Sequence, residues 1–183
     1  MSQIVKELTS VDLRELDRYK IAERIAGVLG DHGYEVVEVD TARPWGQFFR
    51  IRNDQARKFM EDFFQGLELT SRGFDRTPKI LLHYPMQRNS WQYHDRRKEF
   101  WKFLTDGFYY KNMGDEQPGE PMEAKSGEIV TFEPQERHRL SGHFLAPTLV
   151  AEIWEHIAEV PSDEDDIIRL LDDYKLIGRE VGK

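Results

Sequence analysis

The stretch Ser90–Gly107, SWQYHDRRKEFWKFLTDG, decides how the rest of the chain reads. Alternate side chains of a β-strand share a face, so Gln92 and His94 project together while Trp91 and Tyr93 project the other way. The polar run DRRK that follows is long enough for a turn. The aromatic-rich segment after it can then return beside the first strand and aim Glu99 at the same point. Two readings stand at this stage: ligands converging on a metal ion, or polar residues on a solvated strand face.

From about residue 79 onward the pattern keeps a period of two. PKILLHYP, SWQYH, EFWKFLTDGFYYK, GEIVTFEP, RHRLSG and TLVAEIWEH are short and rich in aromatic and β-branched residues. Gly, Pro, Asn or Asp bounds each of them, which is the signature of an all-β barrel or sandwich. His138 lies on one of these strands, just after the Pro-containing turn EPQER. An amide oxygen, two imidazoles and a carboxylate form an N/O set suited to zinc, iron, manganese or nickel, with positions left open for water or substrate. The chain has no cysteine, so thiolate ligands, disulfides and cysteine nucleophiles are excluded together. His83, His143 and His156 match no motif and read as surface or core histidines, and Trp91, Trp101 and Trp154 read as barrel packing.

Upstream, TSVDLRELDRYKIAERIAGVLGDHG predicts one amphipathic helix, with Ser10 as N-cap and Gly30 or Gly33 ending it. YEVVEVD and ARPWGQFFRI predict strands, and NDQARKFMEDFFQG a second helix closed by Gly66. SDEDDIIRLLDDY predicts a short C-terminal helix, with Ser162 before an acidic first turn that suits the helix dipole. The length of 183 residues fits a single domain. That domain comprises a helical extension over 1–35, a barrel over about 36–160, and a helix and tail over 161–183. No run of about 18 apolar residues predicts a membrane span, and the N-terminus lacks the apolar core of a secretory signal, which reads as cytoplasmic. A net charge of -8 without a basic stripe argues against nucleic acid as partner.

SWQYHDRRKEFW resembles the first metal motif of the cupin-type, type II mannose-6-phosphate isomerases, in which Ser-x-Gln-x-His leads through a polar run to Arg-x-Glu and Trp. GEIVTFEPQERHRL resembles their second motif, VAEIWEH a strand bearing a characteristic Glu, SDEDDIIRLLDDY the closing segment, and RPWG at 43–46 the opening one. The resemblance runs in order from about 43 to 174. It implies a mainly β fold, a cupin jelly-roll barrel with an N-terminal helix, one inserted helix and a short C-terminal helix. It implies Gln92, His94, Glu99 and His138 as ligands of one divalent ion, zinc first, with manganese, iron and nickel as alternatives. The second motif is shorter than usual between Pro134 and His138 and YKLIGR replaces a closing Tyr-Gly-Arg; the chain reads as a stand-alone relative without the nucleotidyltransferase domain commonly fused to such enzymes.

The expected function is metal-dependent aldose-ketose isomerisation of a sugar or sugar phosphate. Proton transfer between C1 and C2 needs a base and an electrophile that holds the enediolate charge. Glu152 or a metal-bound hydroxide is the candidate base, Arg139 a catalytic cation beside the metal, and Arg97 and Arg43 candidate substrate-binding cations. Two alternatives belong to other classes: a cupin that binds a sugar or sugar nucleotide without turnover, and another cupin chemistry such as a dioxygenase. The resemblance also implies a homodimer.

Overall fold

The computed structural model describes residues 2–13, 16–67, 76–114, 117–157, 159, 160 and 162–174. Among these residues, eleven strands form two antiparallel sheets. In chain order they are β1 (Val36–Asp40), β2 (Gly46–Ile51), β3 (Arg76–His83), β4 (Trp91–Tyr93), β5 (Arg97–Phe103), β6 (Gly107–Asn112), β7 (Met122–Ala124), β8 (Ile129–Phe132), β9 (Arg137–Gly142), β10 (Thr148–His156) and β11 (Ile168–Leu171). One sheet runs β1-β2-β3-β10-β5-β8 and the other β11-β4-β9-β6-β7. Neighbours in the sheets are mostly distant in sequence, the crossed connectivity of a jelly roll.

The six-stranded sheet is covered on both faces. Phe48, Leu81, Trp101, Phe103 and Val150 point inward and meet Ala124 and Leu140 of the other sheet. Their alternates Phe49, Ile51, Ile80, Leu82, Phe100, Ala151 and Ile153 point outward into a second core beneath the helices. This is why β3 and β10 are buried almost without interruption and read as apolar runs rather than as clean alternation. The helices over that face are α1 (Gln3–Ser10), α2 (Arg18–Asp31) and α3 (Ala56–Phe63). The inserted helix is as expected, burying Phe59 and Phe63 with Phe64 beside them.

Two expectations are corrected. The N-terminal region is two helices, not one starting at Ser10. α1 ends at Ser10, and α2 begins after Asp17, whose carboxylate accepts from the amides of Tyr19 and Lys20, both at 3.0 Å. The C-terminal segment is not a helix. A single 3-10 turn at Glu164–Asp166 leads into β11, which pairs with β4 in the register Ile168↔Tyr93 and Arg169↔Gln92. The expected helix stops after one turn because the Asp166 carboxylate bonds the amides of Asp95 and Arg96 in the barrel. Of the closing YKLIGR, residues beyond Tyr174 lie outside those described.

Candidate metal centre

His94 sits in the tight turn between β4 and β5, Glu99 lies two residues into β5, and His138, the second residue of β9, pairs with Gln92. The Glu99 carboxylate spans the two rings: His94 Nε2 is 3.1 Å from Oε1, and His138 Nε2 is 3.3 Å from Oε2. All three side chains are buried to within 2% of full. Both rings have their other nitrogen committed. His94 Nδ1 donates to the Asp166 carbonyl at 3.2 Å and His138 Nδ1 to the Glu136 carbonyl at 2.9 Å, because a carbonyl can only accept. In the neutral rings each Nε2 therefore carries a lone pair beside a carboxylate oxygen; Arg97 Nη2 donates to that of His94 at 3.1 Å, and that of His138 meets no donor. His138 Nε2 and Glu99 Oε2 have no hydrogen-bond partner, and the three residues could hold a metal ion. The donor set and its orphaned atoms thus fit a divalent ion.

The charges agree. Burial pushes the His94 imidazole down, against the opposing pull of the Glu99 charge. Burial alone would raise the Glu99 carboxyl, but His94, the Arg97 guanidinium and His138 hold it well below the usual carboxylate range. Gln92 stands at the edge of the group. Its Nε2 is 3.5 Å from His94 Nε2, and its Oε1 accepts from Ser90 Oγ at 2.6 Å. A half-turn of the amide exchanges the two atoms, aiming the oxygen at the cluster while Nε2 donates to Ser90 Oγ.

Glu99 and Gln92 open onto a cavity lined also by Arg43, Lys79, Arg97 and Glu152. Glu152 on β10 accepts from Trp101 Nε1 at 2.9 Å and lies opposite Lys79 of β3. Burial and the Glu99 charge push its carboxyl up to about 7, against the opposing pull of Lys79, Arg97 and the Trp101 bond. Arg43 is half-exposed at the rim and paired with Asp40 at 2.8 Å. Arg97 lines the cavity as a wall rather than as a free arm. Nε donates to Glu99 at 2.7 Å, Nη1 to Ser162 Oγ and the Asp163 carbonyl at 3.1 Å, and Nη2 to His94 Nε2 at 3.1 Å. Its guanidinium carbon lies 3.4 Å from the ring centre of Trp154.

Arg139 is corrected. It follows His138 on β9, and the period of two that turns His138 inward turns Arg139 to the opposite face, where it bonds Asp173 at 3.0 Å. Trp154 does more than pack, since Lys79 Nζ also stands 3.7 Å over its ring. The sequence reading passed over Lys79, although a single lysine inside the apolar run TPKILLH was the available signal. It also passed over Arg169, which reaches the cavity from β11 and was hidden by the helical reading of that segment. His83 is fully buried, with neither ring nitrogen bonded. It stacks on Trp45 at 4.4 Å, and burial lowers it to about 3, so it is neutral.

No protein-family model matches the sequence, and no curated protein matches it. Solved structures do share the fold. A mutant of Bacillus subtilis oxalate decarboxylase superposes with a TM-score of 0.50 at 7% identity, covering 73% of this chain and 30% of that one. A DMSP lyase structure gives 0.48 at 11% identity over 89% and 76% of the two chains. A Cupin 2 conserved barrel domain protein from Salinispora arenicola gives 0.38 at 13% identity over 49% and 70%. Identities this low speak to the fold alone, and that fold is the mainly β cupin jelly roll, or double-stranded β-helix.

Proposed function

We propose that this chain is a metal-dependent cupin enzyme that interconverts an aldose and a ketose, free or phosphorylated, as the resemblance to the type II mannose-6-phosphate isomerases implies. The observation that carries the reading is the buried group His94, Glu99 and His138, with both Nε2 lone pairs turned on one carboxylate and the Glu152 carboxyl poised nearby. With Gln92 these residues would hold one divalent ion, zinc first. Once bound, such an ion would polarise the substrate carbonyl as a Lewis acid. Glu152, with a pKa raised to about 7, is suited to take a proton from one substrate carbon and return it to the next. Trp101 fixes its carboxyl, and Lys79 stands across from it in the sheet. Arg43 and Lys79 supply positive charge for an anionic substituent. The test is metal content of the protein as isolated, followed by interconversion assays on mannose 6-phosphate and a panel of free and phosphorylated aldoses. Bound metal without turnover of any of them would sink the reading.

One observation favours a second reading, a sugar-binding cupin without turnover. The Arg97 guanidinium already places a fixed positive charge on His94 Nε2 and Glu99. A binder stabilised in that way would retain no metal through purification yet still bind sugar, and calorimetric titration of metal-free protein separates the two readings.

A further inference from the structure

We propose that Asp166 is a positioning residue for the metal centre: its carbonyl holds the His94 ring in the tautomer that leaves Nε2 for the ion, and its carboxylate fixes the turn that carries His94. This rests on the metal reading above. The two histidines are supported differently. His138 Nδ1 donates to Glu136, a neighbour within its own turn, whereas His94 Nδ1 donates to a residue 72 positions away. The Asp166 carboxylate, almost fully buried, gathers four donors on its two oxygens. The amides of Asp95 and Arg96 donate at 3.2 Å, Arg96 Nε at 3.3 Å, and Ser162 Oγ at 2.6 Å. Ser162 Oγ also receives Arg97 Nη1, so the same turn steadies the guanidinium beside Glu99. Ring orientation and tautomer of a ligating histidine depend on the acceptor behind it, and removing such a support typically weakens metal affinity by about 10–100-fold. Coupling of this kind is reciprocal, so an ion bound at His94 must in turn secure the docking of Asp166.

The test uses full-length wild type, Asp166→Ala, Asp166→Asn and Ser162→Ala. Zinc affinity is measured by competition with a chromophoric chelator, and the His94 tautomer in zinc-free protein from its imidazole ¹⁵N shifts. The expected result is wild type with the proton on Nδ1, and Asp166→Ala with a mixed tautomer and zinc binding about 10–100-fold weaker. Asp166→Asn, which keeps an acceptor oxygen, should recover most of the loss, and Ser162→Ala should fall between. In wild type, zinc should slow hydrogen exchange at the amides of Asp95 and Arg96. Wild-type zinc affinity in Asp166→Ala would overturn the proposal, as would a loss with the His94 tautomer unchanged, which marks a merely structural role. If Asp166→Ala does not fold, unshifted tautomer in Ser162→Ala together with zinc-insensitive exchange at Asp95 and Arg96 overturns it. Wild type that binds no zinc refutes the metal reading instead, and the tautomer comparison in zinc-free protein still decides the role of Asp166.

Discussion

Glu152→Gln should make the metal-free protein more stable, and only above mildly acidic pH. The carboxyl is almost fully buried, on β10 between β3 and β5, and raised from an ordinary 4.5 to about 7, chiefly by burial and then by the Glu99 charge. Below pH 4.5 it is protonated in both folded and unfolded chains and the substitution changes little. Between 4.5 and 7 the unfolded chain releases its proton while the folded chain keeps it, so the unfolded state gains and wild-type stability falls as pH rises. Above 7 both are ionised and the full penalty stands. A separation of 2.5 pH units, at roughly 1.4 kcal/mol each, sets a ceiling of about 3 kcal/mol. Glutamine keeps an oxygen for Trp101 Nε1 and nearly the same volume, so packing and that hydrogen bond survive. Urea unfolding of EDTA-treated wild type and variant from pH 4 to 8 reads the effect directly. The gap should open in favour of Glu152→Gln across 4.5–7 and then level off. A constant gap, or one that widens in favour of wild type as pH rises, would refute the burial argument.

Glu99→Gln should abolish zinc retention through gel filtration, measured by elemental analysis, because it removes the one anion between the two imidazoles. Arg97→Met should destabilise the metal-free protein by about 3–5 kcal/mol in urea at pH 7, since it leaves the Glu99 carboxylate buried without its cation. Gly46→Ala should lower the thermal midpoint sharply: an added Cβ would lie 1.8 Å from the Leu82 carbonyl oxygen, backbone that cannot yield without opening the β2–β3 pair. Asp17→Ala should cost only about 1 kcal/mol, the loss of an N-cap on α2.

The barrel strands and the shared face of Gln92 and His94 were legible because a period of two is a backbone property, whereas the full set with Glu99 and His138 came from the resemblance to the isomerase motifs. The same rule sends Arg139, the neighbour of His138, to the outer face. The helical reading of 162–174 failed for a different reason. Asp and Ser before an apolar run satisfy a helix N-terminus equally well whether their oxygens meet the segment's own amides or those of another strand. Here Asp166 met the amides of Asp95 and Arg96, a choice made by residues some 70 positions upstream and absent from any local window. Lys79 and Glu152 illustrate the remaining gap, because their pairing across β3 and β10 follows from a register that only the assembled sheet defines.

The order in which the chain is made has a consequence for how the centre assembles. His94, Glu99 and His138 all precede Asp166, so the ligands can come together while the residue that orients one of them is still to be added. At about 5–20 residues per second that interval lasts on the order of seconds. An ion that arrives during it meets a His94 ring free to turn and to offer either nitrogen. On the metal reading proposed above, docking of β11 would then select among the modes of capture, and loading would be set by that late-made strand as well as by the ligands.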